Sequence, residues 1–194
     1  MLTACPGSGK TRTLTHRLAY QVLRDPASKK IKIAITYTNR AAEEITNRLE
    51  GMNIDQSSIW AGTIHQFCMH FIIRPYAMYS KRLCKGYRII DDYSKKAYGR
   101  EIAERLGMHL NYYDDPFQYE NVRTEYKRVL KEKKEIDFDA ILLISEELLA
   151  SCAFIGSNIA SVISSILVDE FQDTNELQYS ILSLSLIHIS EPTR

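Results

Sequence analysis

Long hydrophobic runs are what this 194-residue sequence most conspicuously lacks. Its longest mainly apolar stretch, residues 155 to 168, is broken by Ser157, Asn158, Ser161, Ser164 and Ser165, so no segment resembles a membrane span. The start has neither the basic n-region nor the apolar h-region of a signal peptide. Cysteine is sparse: Cys5, Cys68, Cys84 and Cys152 are scattered with no CxxC pair, which fits reduced thiols in a cytoplasm better than a disulfide framework or zinc site. An excess of one charge is missing as well. With 25 Lys and Arg against 24 Asp and Glu, the net charge of +1 gives no global sign of polyanion binding. Internal repeats and low-complexity tracts are absent. What remains is a chain with 45% apolar residues, enough to core one large domain or one domain with an insertion.

Charge is nevertheless uneven. Residues 81 to 134 carry 14 Lys and Arg against 9 Asp and Glu, about +5, which leaves the flanks at −4. A basic stretch can mark a surface facing a polyanion, although on helices it is more often a solvated face.

Three short apolar runs predict strands at Ile31 to Tyr37, Ser58 to Ala61 and Ile163 to Val168, the first and last rich in β-branched residues. Helical spacing follows each of them, over Ala41 to Leu49, Thr63 to Tyr79 and Asn175 to Leu182; an earlier helix carries Leu14, Leu18, Val22 and Leu23 and stops near Asp25-Pro26. Strand, loop and helix in alternation predict an α/β fold with a parallel sheet. Residues 80 to 156 break that alternation and read as a largely helical insertion, with turns at Gly107 and before Phe117.

The chemistry concentrates in two places. "ACPGSGKT", residues 4 to 11, departs from GxxxxGKT only at Ala4. Backbone amides around Gly7, Ser8 and Gly9 can surround a β-phosphate, Lys10 can reach the β and γ oxygens, and the Thr11 hydroxyl can bind Mg²⁺. A glycine-rich turn with a chance Lys-Thr is the simpler alternative. In "ILVDEFQDTNELQ" a buried strand ends in Asp169 and Glu170, where open α/β sheets place ligand-binding groups. Asp169 would hold Mg²⁺, Glu170 would orient and deprotonate an attacking water, and Gln172 could sense the γ-phosphate. Asp173 and Glu176 also fit a capping box for the next helix.

In order along the chain, "ACPGSGKT", "ITYTNRAAEEITNRL", "AGTIHQFC" and "VDEFQDTNELQ" together resemble the N-terminal ATPase domain of UvrD/Rep-type superfamily 1 DNA helicases. The resemblance covers most of residues 1 to about 182. Ala4 is common in that family, and Cys5, often glycine there, is a small departure. It implies a RecA-like P-loop core over 1–79 and 157–183, with helices on both faces of the sheet and a helical insertion over 80–156. It further implies ATP and Mg²⁺ as cofactors, with the nucleotide held by Ala4, Cys5, Pro6, Gly7, Ser8, Gly9, Lys10, Thr11 and Arg12 and the metal by Thr11 and Asp169.

The same resemblance implies a partner, single-stranded DNA or a duplex with a single-stranded tail, touched by Tyr37, Thr38, Asn39, Thr63 and His65. Tyr37 would offer a stacking face and its neighbours backbone-phosphate contacts. Local alternatives stand beside these roles: Thr38 or Asn39 as a helix N-cap, and Thr63 with Gln66 as a T-x-x-Q capping box. Cys68, Trp60 and His70 read as packing or surface residues.

The implied activity is that of an ATP-dependent 3′-to-5′ DNA helicase or translocase. An NTPase subunit beside a nuclease or defence effector, and a degenerate nucleotide-binding interaction module, are the alternatives; intact Lys10, Thr11, Asp169 and Glu170 count against the last. Nuclease or repair proteins are conceivable partners. Only Met1 to Ala4 are left to serve as a lead-in strand, so that strand and the adenine-reading segment are expected to be cut away, with Met1 an internal or misassigned start. A second RecA-like domain in cis is expected to be missing, and residues 184–194 are expected to be a non-native, poorly packed tail. Such a fragment is expected to bind ATP and single-stranded DNA but to lack turnover.

Overall fold

A computed structural model describes residues 9–111 and 113–186, apart from the side chains of Lys10 and Leu186. The strand lead-in, Ala4 to Ser8 of the nucleotide loop, and residues 187–194 lie outside that range.

Helix α1 (Lys10–Arg24) leads into β1 (Ile31–Thr36), α2 (Asn39–Gly51) and β2 (Ile59–Thr63). After the middle of the chain, β5 (Ile163–Val168) precedes a 3-10 turn at Phe171–Asp173 and α9 (Glu176–Leu186). The strands form a parallel sheet in the order β2-β1-β5, with Thr36 paired to Thr63 and Ile35 to Val168. Because strand side chains alternate, β1 serves two cores. Ala34 faces Leu18, Ala19, Ile45 and Leu49 of α1 and α2, while Ile33 and Ile35 face the opposite cluster around Phe67 and Ile72. Helices therefore cover both faces, as an all-parallel sheet requires. Leu23, counted above on the apolar stripe of α1, is instead 69% exposed; Leu18, Ala19 and Val22 form the buried face.

The helix expected from Thr63 to Tyr79 is not continuous. A short α3 (Ile64–Phe67) passes into a π-helical stretch at Cys68–Ile73, then α4 (Arg74–Tyr76) and a 3-10 turn at Ala77–Tyr79. The consecutive Phe71, Ile72 and Ile73 are all buried. An α-helical turn would rotate one of them outward, and the wider i→i+5 turn keeps the three on the core side.

The middle of the chain holds β3 (Arg88–Ile89), α5 (Asp92–Arg105), a 3-10 turn at Pro116–Gln118, α6 (Glu120–Lys133), β4 (Glu135–Ile136), α7 (Phe138–Ser151) and α8 (Ala153–Val162). Its packing divides earlier than residue 156. Ile90, Ile102, Ala103, Val122, Tyr126 and Leu130 make a separate small core. Ile141, Ile144 and Leu148 of α7 and Ile155 and Ile159 of α8 instead join the main cluster with Ile33 and Ile35. The cause is visible in α7, where apolar residues run round most of the helix; such a helix has to be buried between neighbours.

Residues 184–186, expected to begin a poorly packed tail, continue α9. Leu184 packs against the main core and Ser185 is buried, its hydroxyl donating to the Ile181 carbonyl at 2.8 Å. Spacing of Ile181, Leu182 and Ser185 simply extends the helical stripe. No helix among the described residues is long and apolar enough to cross a membrane.

Candidate functional site

The carboxyl ends of β1, β2 and β5 converge on one side of the sheet, and the N-terminus of α1 meets them there. Gly9 precedes α1 with φ 81°, a left-handed conformation that glycine adopts without steric cost. Gly9 brings no side-chain cap to α1, and the helix dipole favours an anion at its first-turn amides. Within that first turn Arg12 is exposed and Thr11 half-buried.

Thr11 is the connecting point between the two motifs. Its hydroxyl donates to Asp169 Oδ2 at 3.1 Å, across 158 residues of sequence. Asp169 is itself placed by the sheet: it follows the last residue of β5, its amide donates to the Ile35 carbonyl at 2.8 Å, and it is 8% exposed. Its other oxygen accepts from the Glu170 amide at 3.2 Å. A hydroxyl and a carboxylate oxygen facing one another beneath a helix N-terminus suit a hard cation such as Mg²⁺, which takes one or two protein oxygens and completes its shell with phosphate and water.

Glu170 has φ 51° and ψ 45°. For a non-glycine residue this left-handed conformation costs on the order of 1–2 kcal/mol, and here it turns the chain abruptly out of β5. Gln172 Nε2 donates to Glu170 Oε2, so the two residues expected to act on water and γ-phosphate are in contact. The capping box expected from Asp173 and Glu176 does not form. Asp173 closes the 3-10 turn, its amide donating to the Glu170 carbonyl at 2.9 Å, and the helix starts at Glu176. Asn175 and Gln178 form the reciprocal cap instead, at 2.9 and 3.2 Å.

The candidate DNA residues sit on the neighbouring strand ends. Thr38 caps α2, accepting from the Ala41 amide at 3.2 Å, and Asn39 opens that helix, exposed. Thr63 forms the T-x-x-Q capping box with Gln66. Tyr37 is 56% exposed and its hydroxyl donates to the Asp173 carbonyl. His65 packs edge-on against Phe138 at 5.8 Å, and burial lowers its imidazole pKa while Asp139 and Asp92 pull it upward. A contact from His65 to phosphate at neutral pH would therefore come from a neutral N–H donor. Tyr37, Thr63, His65 and Asp169, with Thr36 and Gln178, line one cavity of about 90 Å³.

The structure thus gathers Thr11, Asp169, Glu170, Gln172, Tyr37, Thr63 and His65 at one edge of the sheet. Three contributors were missed in the sequence: the Thr36 hydroxyl, which donates to the Thr38 carbonyl at 2.9 Å; Phe138, which supports His65; and Gln178. Only Gln178 left a readable signal, in the spacing N-x-x-Q.

The model of the UvrD/REP helicase N-terminal domain matches residues 1–120 and 108–188. The chain belongs to that family. It is 28% identical over 214 residues to the ATP-dependent DNA helicase PcrA of Leuconostoc citreum, an alignment covering 95% of this chain and 28% of the relative. To DNA helicase II of Escherichia coli strain K12 it is 27% identical over 212 residues, covering 95% of this chain and 29% of the relative. The chain spans less than a third of the length of these relatives.

In this UvrD/REP domain Cys68 and Cys84 differ in exposure. Cys68 is fully buried, and burial pushes its thiol up to about 12. A thiol with that pKa stays protonated at pH 8, and it is the thiolate that reacts. Ellman's reagent at pH 8 should therefore label the exposed Cys84 in the native protein and Cys68 only after denaturation. Native labelling of Cys68, mapped by peptide mass, would contradict this placement.

Proposed function

We propose that the full protein is an ATP-dependent DNA helicase or translocase of 3′-to-5′ polarity, and that residues 1–194 form its first nucleotide-binding core. The observation that carries this reading is the Thr11–Asp169 hydrogen bond, which unites the first turn of α1 and the acidic strand end at the carboxyl edge of a parallel sheet. The match to the UvrD/REP family and the names of the relatives support ATP and DNA as its ligands.

In this reading the loop from Ala4 to Gly9 and the α1 amides hold the nucleotide phosphates, Lys10 contacts the β and γ oxygens, and Arg12 lies alongside. Thr11 and Asp169 would hold Mg²⁺, which when bound neutralises phosphate charge. Glu170 accepts the proton of the attacking water, and Gln172, in contact with Glu170, responds to the γ-phosphate. Tyr37 offers a ring face to a base, while Thr38, Asn39, Thr63 and His65 contact the sugar-phosphate backbone. The basic α5–α6 unit adds a second surface for DNA.

An arginine supplied by a second domain is worth about 10³ to 10⁵ in rate in comparable phosphoryl transfer. Residues 1–194 alone are therefore expected to bind Mg-ATP and a labelled oligothymidylate, the latter less tightly as salt rises, without unwinding and without single-strand-stimulated hydrolysis. Steady-state phosphate release with and without oligothymidylate checks this. Robust stimulated turnover by the 194-residue chain would refute the division of labour proposed here.

A further inference from the structure

The α5–α6 unit is joined to the rest of the chain at one narrow place. The chain enters it through β3 and leaves it through β4, two-residue strands that run parallel. The Arg88 amide donates to the Lys134 carbonyl there and the Ile90 amide to the Ile136 carbonyl, both at 2.9 Å. A left-handed residue precedes each strand, Gly86 at φ 86° and Lys134 at φ 55°. Ile90 belongs to the small core and Ile136 to the main one, and among the described residues no side chain belongs to both. Beyond this neck a cleft of about 1150 Å³ lies between the two bodies, with Lys96, Phe117 and Lys127 on one wall and Ala140 and Leu143 of α7 on the other. Polar contacts bridge it. Lys95 Nζ of α5 donates to Asp139 Oδ2 at 2.5 Å and lies 3.5 Å from Asp137 Oδ2, which also accepts from the Tyr126 hydroxyl of α6 at 3.0 Å.

We propose that the α5–α6 unit is a hinged lid, latched in this structure by Lys95 and Tyr126 on Asp137 and Asp139, and that the latch governs the access of a strand phosphate to His65. The hinge stands on the contacts just described, while the access rests on the DNA face proposed above. A two-strand neck flanked by left-handed residues is the kind of element end that absorbs a change of φ and ψ. The lid's own apolar residues turn into the small core, so a swing about the neck disrupts chiefly the latch. That latch is weak where it meets solvent: Asp139 is 75% exposed, and an exposed ion pair contributes little. Asp137 and Asp139 flank Phe138, on which His65 packs, and Asp92 in the first turn of α5 acts on the same imidazole. With the lid latched, Asp92 and Asp139 both oppose a phosphate arriving at His65. Release carries Asp92 away with α5, and the like-charge repulsion falls.

Spin labels on Asn47→Cys of α2 and Thr124→Cys of α6, both exposed positions, report the swing as a distance by double electron-electron resonance. The 194-residue background carries Cys5→Ser, Cys84→Ser and Cys152→Ser, and Cys68 is buried. With the latch intact, one distance is expected to predominate. Asp139→Asn, and separately Lys95→Met with Tyr126→Phe, are expected to add a second, longer one; both leave Asp137 in place as the cap of α7. Asp139→Asn changes only an exposed side chain, so it decides the matter even if the double variant fails to fold. Unchanged distances in the folded variants would overturn the latch. Saturating oligothymidylate, its binding followed by fluorescence anisotropy, is expected to shift the latched protein toward the longer distance. A bound strand with no shift would overturn the gating of His65 and leave the hinge. Absence of strand binding would overturn the DNA face and the gating together, while the latch is still decided by the variants.

Discussion

Asp169→Ala is expected to abolish the Mg²⁺ dependence of nucleotide binding and to weaken Mg-nucleotide binding by roughly 30-fold or more. The carboxylate is nearly buried, accepts from the Thr11 hydroxyl and the Glu170 amide, and has its backbone anchored to Ile35. Removing it takes away the carboxylate that the Thr11 hydroxyl engages. Truncating one member of a desolvated charge-assisted pair costs about 2–5 kcal/mol, and about 1.4 kcal/mol is tenfold in affinity. The measurement is the ratio of fluorescent-nucleotide affinities in Mg²⁺ and in EDTA. Wild type should show a large ratio and the variant a ratio near one. Asp169→Asn, which keeps the shape and loses the charge, should follow Asp169→Ala; retention of the wild-type ratio by both variants would remove Asp169 from the metal site.

Ile141→Ala is expected to destabilise the main core by about 2–5 kcal/mol, the usual cost of truncating a buried isoleucine. Ile141 is completely buried on α7, in the same cluster as Ile33 and Ile35 of the central strand. For a chain of this size the loss should lower the unfolding midpoint by about 5–15 °C. Trp60, the sole tryptophan, packs against that cluster on β2 and reports its unfolding by fluorescence. Ile102→Ala makes the comparison specific, because Ile102 is equally buried but belongs to the small core of α5 and α6. Ile141→Ala should shift the Trp60 transition much more than Ile102→Ala does. The reverse order would place α7 with the insertion, where its helical pattern alone had put it.

Those two helices show where the sequence was readable. Strands β1 and β5 were plain because β-branched residues filled short runs bounded by loops, and α2 was plain because Ala42, Ile45 and Leu49 recur at helical spacing. The parallel α/β class followed from that order of elements. The allegiance of α7 did not follow, since a helix apolar on most sides is marked as buried without naming its neighbours. Strands β3 and β4 are two residues each, too short to carry a period. The π-helical stretch was hidden because Phe71-Ile72-Ile73 reads as strand, α-helix or π-helix alike until a core is present on one side.

At the site the same limit applies. The Asp169–Glu170 pair was legible as carboxylates at the end of a strand, and the caps at Thr38 and Thr63 were legible from local spacing. The Thr11–Asp169 and Tyr37–Asp173 contacts were not, because both span more than a hundred residues and depend on strand order rather than on any local pattern. Asp173 was misjudged as a cap for a related reason: the left-handed Glu170 and the 3-10 turn after it move the cap to Asn175, whose spacing to Gln178 is as good as that of Asp173 to Glu176.

Whether residues 1–194 form a nucleotide-binding core at all is settled by titrating wild type and Lys10→Ala with a fluorescent ATP analogue in Mg²⁺, with matched unfolding curves to show that both are folded. Charge-assisted hydrogen bonds of the kind assigned to Lys10 contribute about 1.5–3 kcal/mol, so saturable binding by wild type should weaken by roughly ten- to a hundred-fold in the variant. Equal binding by the two folded proteins would contradict the assignment of the phosphate loop, and with it the proposed function.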